Sequence, residues 1–285
     1  MTTTLRPSAP LQQTATGARS RPYEIRVNSR RVGALVIAAD GPLGPAVGEL
    51  RELYVEEPDR GRGRATVAAL AGEEVLRGWG CRRVRVAVPA SSAGGLRLAT
   101  ALGYTESGLT LCKELPAAPP ALPEGVGARP MTEAEYARWL PRAVASYAER
   151  CQERSGLGPE EARAFSAAQH TELLPQGPAT EGMSISVLEA AAADRREPLG
   201  HVWVATGQEL PGGGSGAYVY DVEVDAAHRG RGHGRGLLLQ AERVALAAGA
   251  RRIALFVDSG NTPARGLYAS LGYRTTTVHL GKPLW

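Results

Sequence analysis

The chain repeats itself. When the 285-residue sequence is shifted by 169 positions, residues 60–104 align with 229–273 without a gap, and 15 of the 45 aligned positions are identical. The matches run through a basic loop, two helical patterns and the apolar segment between them. A repeat on this scale indicates two copies of one domain. Beyond it, Lys113 aligns with Lys282, and these are the only lysines of the chain.

A proline-rich segment separates the two copies. The stretch "AAPPALPEG" at 117–125 has no hydrophobic periodicity and is typical of a linker. The sequence therefore predicts an N-terminal domain at 22–116 and a C-terminal domain at 126–285. Residues 1–21 are rich in Thr, Ser, Gln and Pro, so we expect a flexible tail.

Only the C-terminal copy carries an insertion with two helical patterns, at 131–180. We therefore expect the N-terminal copy to lack both this helix pair and the strand before it. In that copy, "YEIRVNSRRVGALVIAAD" contains two apolar runs around Asn28 and Ser29, which is typical of a β-hairpin.

Composition excludes several classes of protein. The net charge is +4, and no apolar run approaches the ~20 residues that cross a bilayer. The first 25 residues lack the apolar core of a signal peptide. Cys81, Cys112 and Cys151 have neither metal-site nor disulfide spacing. We expect a cytoplasmic, bacterial protein that binds no metal, membrane or nucleic acid.

The stretch "HRGRGHGRG" at 228–236 lies between a strand that ends at Val224 and an amphipathic helix that begins near Gly234. Glycines let the backbone approach a ligand, and the first turn of a helix offers unpaired N–H groups. This arrangement favours a phosphate or pyrophosphate site. A solvated turn is the plain alternative, whereas a nucleic-acid segment would need interleaved aromatic residues.

The spacing [Arg/Gln]-x-x-Gly-x-[Gly/Ala] occurs twice, at 229–234 and at 60–65. Farther along, "NTPARGLYASLGYR" contains Asn261 and Tyr268. On these residues the sequence resembles the GCN5-related N-acetyltransferase (GNAT) superfamily, in a tandem two-domain form.

The resemblance implies an α/β fold of two tandem GNAT domains, each a twisted mixed β-sheet flanked by helices. The fourth and fifth strands of such a sheet splay apart, and acetyl-CoA lies between them. The implied cofactor contacts are Val222, Val224, Arg229, Gly230, Arg231, Gly232, His233, Gly234, Arg235, Asn261 and Tyr268, with Arg60, Gly61, Arg62, Gly63 and Ala65 in the other copy.

The implied reaction is acetyl transfer from acetyl-CoA to a primary amine of a small molecule or peptide. A phenol titrates near ~10 and a thiol near ~8.5, so Tyr268 is protonated at neutral pH and can donate to the leaving thiolate. Asp221 and Glu223 share one face of a strand, and either could accept the amine proton, directly or through water. All three also fit ordinary packing or strand-edge positions.

The N-terminal copy departs from this pattern, because Ala99 aligns with Tyr268 and Ser92 with Asn261. We expect this copy to bind CoA without turnover or to be purely structural. His170, His201 and His279 are interpreted as packed or surface histidines.

Other functions remain open at this stage. A non-catalytic acyl-CoA sensor or scaffold, or a transferase for a longer acyl-CoA, fits the same motifs. Oligomeric state (monomer or homodimer) and the acceptor are also open. Aromatic residues that could line an acceptor site are Tyr136, Trp139, Tyr147, Trp203, Tyr218 and Tyr220.

Overall fold

The computed structural model describes residues 2–15, 17–41, 43–191, 196–211 and 213–284. The elements of the N-terminal copy are β1 (Thr3–Pro7), β2 (Gln12–Gln13), β3 (Arg19–Val27), β4 (Arg30–Ala39), β5 (Val47–Val55), α1 (Arg64–Gly78), β6 (Arg83–Pro89), α2 (Ala93–Ala101) and β7 (Thr105–Glu114). Those of the C-terminal copy are β8 (Val126–Pro130), α3 (Glu133–Ser155), α4 (Pro159–Leu173), β9 (Met183–Ala191), β10 (Arg196–Glu209), β11 (Ser215–Val224), α5 (His233–Ala247), β12 (Arg252–Asp258), α6 (Thr262–Ser270) and β13 (Arg274–Pro283). None of the described helices is long and apolar enough to span a membrane.

The chain packs into two compact units, and neither is continuous in sequence. The first unit combines the chain up to Ser107 with Ala145–Ser166 and with the end of the chain from Val278. The second unit consists of Gly108–Val144 and Ala167–Thr277. The domain boundary at 117–125 stays a prediction. It concerns the two copies of the repeat, whereas the packing units have their boundaries at other positions.

In the first unit, β1, β3, β4 and β5 form an antiparallel sheet, and β6 joins it parallel to β5. The predicted hairpin is confirmed, because Asn28 and Ser29 connect β3 to β4. Both have positive φ, 47° and 70°, as a tight two-residue hairpin turn requires. Helix α1 packs on this sheet and buries Leu76 against a core that includes Leu35 and Ile37.

The N-terminal segment is ordered by strand pairing. β1 pairs antiparallel with β3 from Thr3↔Val27 to Pro7↔Tyr23. The expectation of a flexible tail is therefore wrong over these residues, while Met1 and residue 16 lie outside the described residues. Leu5 supplies the reason, since it packs against the buried core of this unit despite its polar neighbours. The N-terminal copy thus has its first strand, so the expectation that it lacked one was wrong, and between β1 and β3 the structure shows no helix among the described residues.

In the second unit, β8, β9, β10 and β11 are antiparallel, and β12 joins parallel to β11. Helix α5 packs against this sheet with Leu237 and Leu238 completely buried. Each unit is therefore a mixed sheet with helices, which confirms the predicted α/β fold class.

The larger part of the last strand of each copy belongs to the unit of the other copy. β7 comes from the N-terminal copy but pairs antiparallel with β12, from Arg252↔Glu114 to Asp258↔Gly108. The end of β13 comes from the C-terminal copy, yet it lies in the first unit. There the Leu284 amide donates to the Arg82 carbonyl at 2.9 Å.

Each exchanged strand carries one of the two lysines into a buried ion pair. Lys113 Nζ lies 2.6 Å from Glu242 Oε1, and Lys282 Nζ lies 3.0 Å from Glu73 Oε1. The glutamates are 1% and 2% exposed. Glu73 and Glu242 are themselves equivalent in the repeat, so one ion pair occurs twice, each time completed by a strand from the other copy.

Replacing Lys113 with Met is expected to destabilise the protein by about 3–5 kcal/mol, because the Glu242 carboxylate stays buried without its cation. Lys113→Met combined with Glu242→Met removes both charges and is expected to recover most of that loss. Urea unfolding followed by tryptophan fluorescence measures both variants. A single variant as stable as the wild type would contradict an energetic role for the pair.

Candidate functional site

A cleft opens in the second unit where β11 and β12 separate. The two strands pair only at Ala217↔Ile253, Tyr218↔Ala254 and Val219↔Leu255. Beyond Val219, the edge of β11 that faced β12 has no strand partner, while its other edge remains paired with β10 as far as Val224. We call this opening the C-terminal cleft. The predicted splay between the fourth and fifth strands is thus present, and Val222 and Val224 lie on its open strand.

A β-bulge shapes the same strand. Trp203 pairs with Asp221, and the next residue of β10, Val204, pairs with Val219, so Tyr220 is an extra residue on β11. Bulges bend a strand and redirect its side chains. The N-terminal copy has a similar bulge between β4 and β5, where Glu52 has a positive φ of 53°. Glu52 is the repeat equivalent of Asp221.

The glycine loop follows the open strand, as predicted. Gly230 and Gly232 have φ of +76° and +85°, and Gly232 is the N-cap of α5 with no side chain capping the helix. A Cβ at either glycine would meet nothing within 4 Å, so the loop faces open space. Left-handed backbone explains the glycines, and an uncapped helix start offers N–H groups to an anion.

The loop, the strand and α6 meet at Gly234. A Cβ at this position would lie 3.0 Å from Leu267 Cδ2 and 3.8 Å from Val224 Cγ2. The start of α5 therefore sits against both the end of β11 and the helix that carries Tyr268. The sequence implied that Gly234 contacts the cofactor. The structure shows a further reason for a glycine here, because a larger side chain would crowd Leu267.

The first arginine of each motif holds its loop in place. Arg229 Nε donates to the Val224 carbonyl at 3.1 Å, and Arg60 Nε donates to the Val55 carbonyl at 2.9 Å. These bonds tie each loop to the strand before it, a role that the sequence did not reveal. Arg231 and Arg62 are exposed.

Two further predicted loop residues lie near this point. Arg235 Nη2 donates to Ser270 Oγ at 2.8 Å, which links α5 to α6. His233 is half-buried, with its ring centroid 6.2 Å from that of His228. Cofactor contact by either residue stays a prediction.

Helix α6 places Tyr268 in a buried position. Asn261 caps the helix by accepting a hydrogen bond from the Ala264 amide at 3.2 Å. Tyr268 is only 6% exposed, and its hydroxyl makes no hydrogen bond to another described residue. Burial, followed by the charge of Asp221, raises the pKa of Tyr268 to about 12. The phenol therefore stays protonated at neutral pH.

The structure separates the two candidate carboxylates. Asp221 Oδ2 lies 3.0 Å from His201 Nε2, and its side chain is 23% exposed. Glu223 is 51% exposed and pairs with Arg229 at 3.2 Å. Asp221 is also the one whose charge acts on Tyr268. His201, which sequence reasoning treated as a packing residue, is thus part of this group, and only the strand register, His201↔Glu223, brings it there.

Most of the aromatic residues proposed for an acceptor site form one cluster beside these groups. Trp139 and Trp203 are the buried centre, with ring centroids 5.8 Å apart. Tyr220 stacks on Trp203 at 4.9 Å. Tyr147 does not belong to this cluster; it packs with Leu43 and Phe165 in the first unit. Among the described residues, no group of His, Cys, Asp and Glu side chains is arranged to hold a metal ion.

The N-terminal copy has its own cleft, of about 1080 Å³. Its walls include Glu52, Arg60, Gly63, Ser92 and Ala99. We call it the N-terminal cleft. Its loop is built as in the other copy, because Gly61 and Gly63 have φ of +71° and +70° and no side chain caps α1.

Two equivalences within the N-terminal cleft differ from the other copy. Ser92 keeps the capping role of Asn261, since its Oγ accepts from the Gly95 amide at 3.3 Å. Ala99, in contrast, occupies the position equivalent to Tyr268 and has no proton to donate. Arg64, which aligns with His233, is buried against Asp59.

Comparison with known proteins agrees with this geometry. The family model described as Acetyltransferase (GNAT) family matches residues 4–104 and 159–273, which together are most of the chain. The chain belongs to the GNAT acetyltransferase family. No curated protein matches it.

Solved GNAT structures share the fold over nearly the whole chain. One is a tandem GNAT protein from the clavulanic acid biosynthesis pathway, 20% identical, with a TM-score of 0.55 over 96% of this chain and 85% of that one. Another is a GCN5-related N-acetyltransferase from Sphaerobacter thermophilus, 24% identical, with a TM-score of 0.57 over 92% and 80%. A third, from Kribbella flavida, is 18% identical, with a TM-score of 0.53 over 89% and 88%. The predicted tandem GNAT architecture is confirmed.

Within this GNAT protein, the proximity of Asp221 to Tyr268 can be tested directly. Asp221→Asn removes a negative charge, so the pKa of Tyr268 is expected to fall from about 12 while burial keeps it above 10. Carbon-13 NMR of the tyrosine Cζ from about pH 9 to about pH 12.5 follows the titration, with Tyr268→Phe to assign the signal. An unchanged titration in Asp221→Asn would show that the two groups do not interact.

Proposed function

We propose that the protein transfers an acetyl group from acetyl-CoA to a primary amine of a small molecule or peptide, and that the C-terminal cleft catalyses the transfer. The observation that carries the proposal is the meeting of a free strand edge, an uncapped helix start and a helix that carries a buried protonated phenol, Tyr268. The N-terminal cleft has the first two and lacks the third. The cytoplasmic location and the oligomeric state stay predictions.

The loop and the strand edge would bind different parts of the cofactor. The amides at the start of α5, with exposed Arg231, would hold the pyrophosphate. The open edge of β11 at Val222 and Val224 would pair with the amide-containing pantetheine arm, as an added strand does. Arg229 would support this site indirectly, because its hydrogen bond to the Val224 carbonyl holds the loop in place.

The reaction needs an unprotonated amine, a polarised carbonyl and a stabilised leaving thiolate. A backbone N–H near Val224 would polarise the thioester carbonyl. Asp221 or Glu223 was expected to help remove the amine proton, and the contacts of Asp221 favour that residue. Tyr268 then gives its proton to the sulfur as the C–S bond breaks, so the products are the acetylated amine and the free thiol.

The N-terminal cleft is proposed as a second CoA site without turnover. Its loop at Arg60, Gly61, Arg62, Gly63 and Ala65 repeats the backbone of the catalytic copy. A volume of about 1080 Å³ suits a ligand of this size. Because Ala99 supplies no proton, this cleft fits the alternative of acyl-CoA binding or sensing.

Titration calorimetry with acetyl-CoA tests both sites. The wild type is expected to bind two molecules, whereas Gly232→Glu and Gly63→Glu each lose one, since a carboxylate then occupies the place of a phosphate. The matched controls are Gly249→Glu and Gly80→Glu, at the ends of α5 and α1. These glycines also have positive φ, +78° and +83°, and open surroundings, so the controls carry the same backbone strain without reaching a cleft. One site in the wild type would leave the N-terminal copy purely structural, and none would overturn the proposed function.

Tyr268→Phe is expected to lower kcat by about 10²-fold with an unchanged dissociation constant for acetyl-CoA, because the variant loses only the proton donor. Thiol release measured with tyramine, L-lysine and kanamycin as acceptors provides the assay. The control is Ala99→Ser, in the cleft that has no acid, which is expected to leave kcat as it is. A Tyr268→Phe enzyme with full kcat would remove Tyr268 from the mechanism.

A further inference from the structure

We infer that His201 is the group that takes the proton from the acceptor amine, with Asp221 as its partner. The inference rests on the proposed acetyl transfer and adds a residue to it. Sequence reasoning divided this role between Asp221 and Glu223. The structure places an imidazole between the carboxylate and the aromatic cluster.

Three elements fix the His201 ring. Its strand, β10, pairs with β11, and Nε2 lies 3.0 Å from Asp221 Oδ2. From α3, the Trp139 indole N–H reaches the same Nε2 at 2.9 Å, with the ring centroids 5.8 Å apart. The side chain is 12% exposed, so the ring is held in place but is not completely buried.

Asp221 and Trp139 favour opposite tautomers of the neutral ring. Ionised Asp221 requires a hydrogen on Nε2, whereas the indole N–H requires a lone pair there. A hydrogen bond to a carboxylate is the stronger of the two, so the Nε2–H form is favoured. The lone pair then lies on Nδ1, to which no described residue is hydrogen-bonded. A ring with an unoccupied lone pair, held by the carboxylate whose charge also acts on Tyr268, is suited to accept a proton.

The groups around His201 allow it to carry charge. On β11, the acidic neighbours are Asp221 and, directly opposite in the register, Glu223, which Arg229 partly neutralises. Helix α3 contributes the uncharged indole of Trp139, and α4 contributes His170, whose ring packs on Trp139 at 6.3 Å rather than on His201. Helix α6 contributes Tyr268, which is neutral at working pH. An imidazolium here faces an excess of negative charge.

The step balances within the proposed reaction. The amine nitrogen forms the C–N bond, and its proton moves to Nδ1 of His201. The C–S bond breaks, and the sulfur takes the proton of Tyr268. The imidazolium then returns a proton to the tyrosinate through water, so the enzyme ends as it began.

The kinetic test compares His201→Gln with the wild type, using whichever of tyramine, L-lysine and kanamycin the wild type acetylates. The variant is expected to lose about 10²-fold in kcat/KM at pH 7 and to lose the acidic limb of the pH profile, with acetyl-CoA binding unchanged. His279→Gln, an imidazole in the first unit, is the control and keeps both rate and profile. A His201→Gln enzyme that keeps the rate and the acidic limb overturns the inference and leaves the proposed function standing.

A second measurement needs no acceptor. Long-range nitrogen-15 NMR reports the tautomer of each of the five histidines, and His201→Gln assigns the relevant signal. The wild type is expected to show the Nε2–H tautomer, and Asp221→Asn to convert it to the Nδ1–H tautomer that Trp139 favours. A wild-type ring with its hydrogen on Nδ1 overturns the inference even where no amine of the panel is acetylated. Failure of the proposed function is seen separately, as a protein that does not bind acetyl-CoA.

Discussion

Parallel pairing between β11 and β12 stops after three residue pairs, and the functional region of the protein depends on that interruption. Backbone groups in a cleft need partners, and past Val219 the partner has to be water or an extended ligand. The bulge at Tyr220 turns the strand at the same point. The glycine loop then begins where the open strand ends, so an anion held by the amides of α5 and a chain paired with β11 would be parts of one ligand. In the N-terminal copy, the parallel pairing between β5 and β6 also ends after three residue pairs, at Glu49↔Arg85.

Strand exchange gives a structural reason for keeping a copy that lacks the proposed catalytic acid. The sheet of the second unit includes β7, which the N-terminal copy supplies, and Glu242 is neutralised by Lys113 on that strand. Loss of the N-terminal copy would therefore leave both an unpaired β12 edge and an uncompensated buried carboxylate. Selection for stability can hold the N-terminal copy together even if its cleft performs no chemistry. Ala99 is a difference from the other copy that lies in the wall of the cleft. It is not one of the residues of the ion pair between Lys282 and Glu73.

The sequence predicted what is local or repeated, and it missed what depends on pairing between distant residues. Glycine spacing located both loops, and the 169-residue repeat gave the tandem fold. Strand exchange was invisible, because Lys113 and Lys282 align with each other whether or not the strands change places. β1 was missed because its burial rests on Leu5 alone among polar neighbours. His201 could not be connected to Asp221, since the two are 20 positions apart in sequence and meet only through a strand register that contains a bulge.

The position of Asp221 relates it to both proposed proton-transfer groups, Tyr268 and His201. Its charge acts on Tyr268, which burial already keeps protonated, and this reinforces the acid. The same charge lies 3.0 Å from His201, where a proton arriving from the amine would place a positive charge. One carboxylate thus opposes ionisation of the proposed acid and would attract the positive charge of the proposed base after it has taken the proton. Glu223 does not share this position, because its side chain is half exposed and pairs with Arg229.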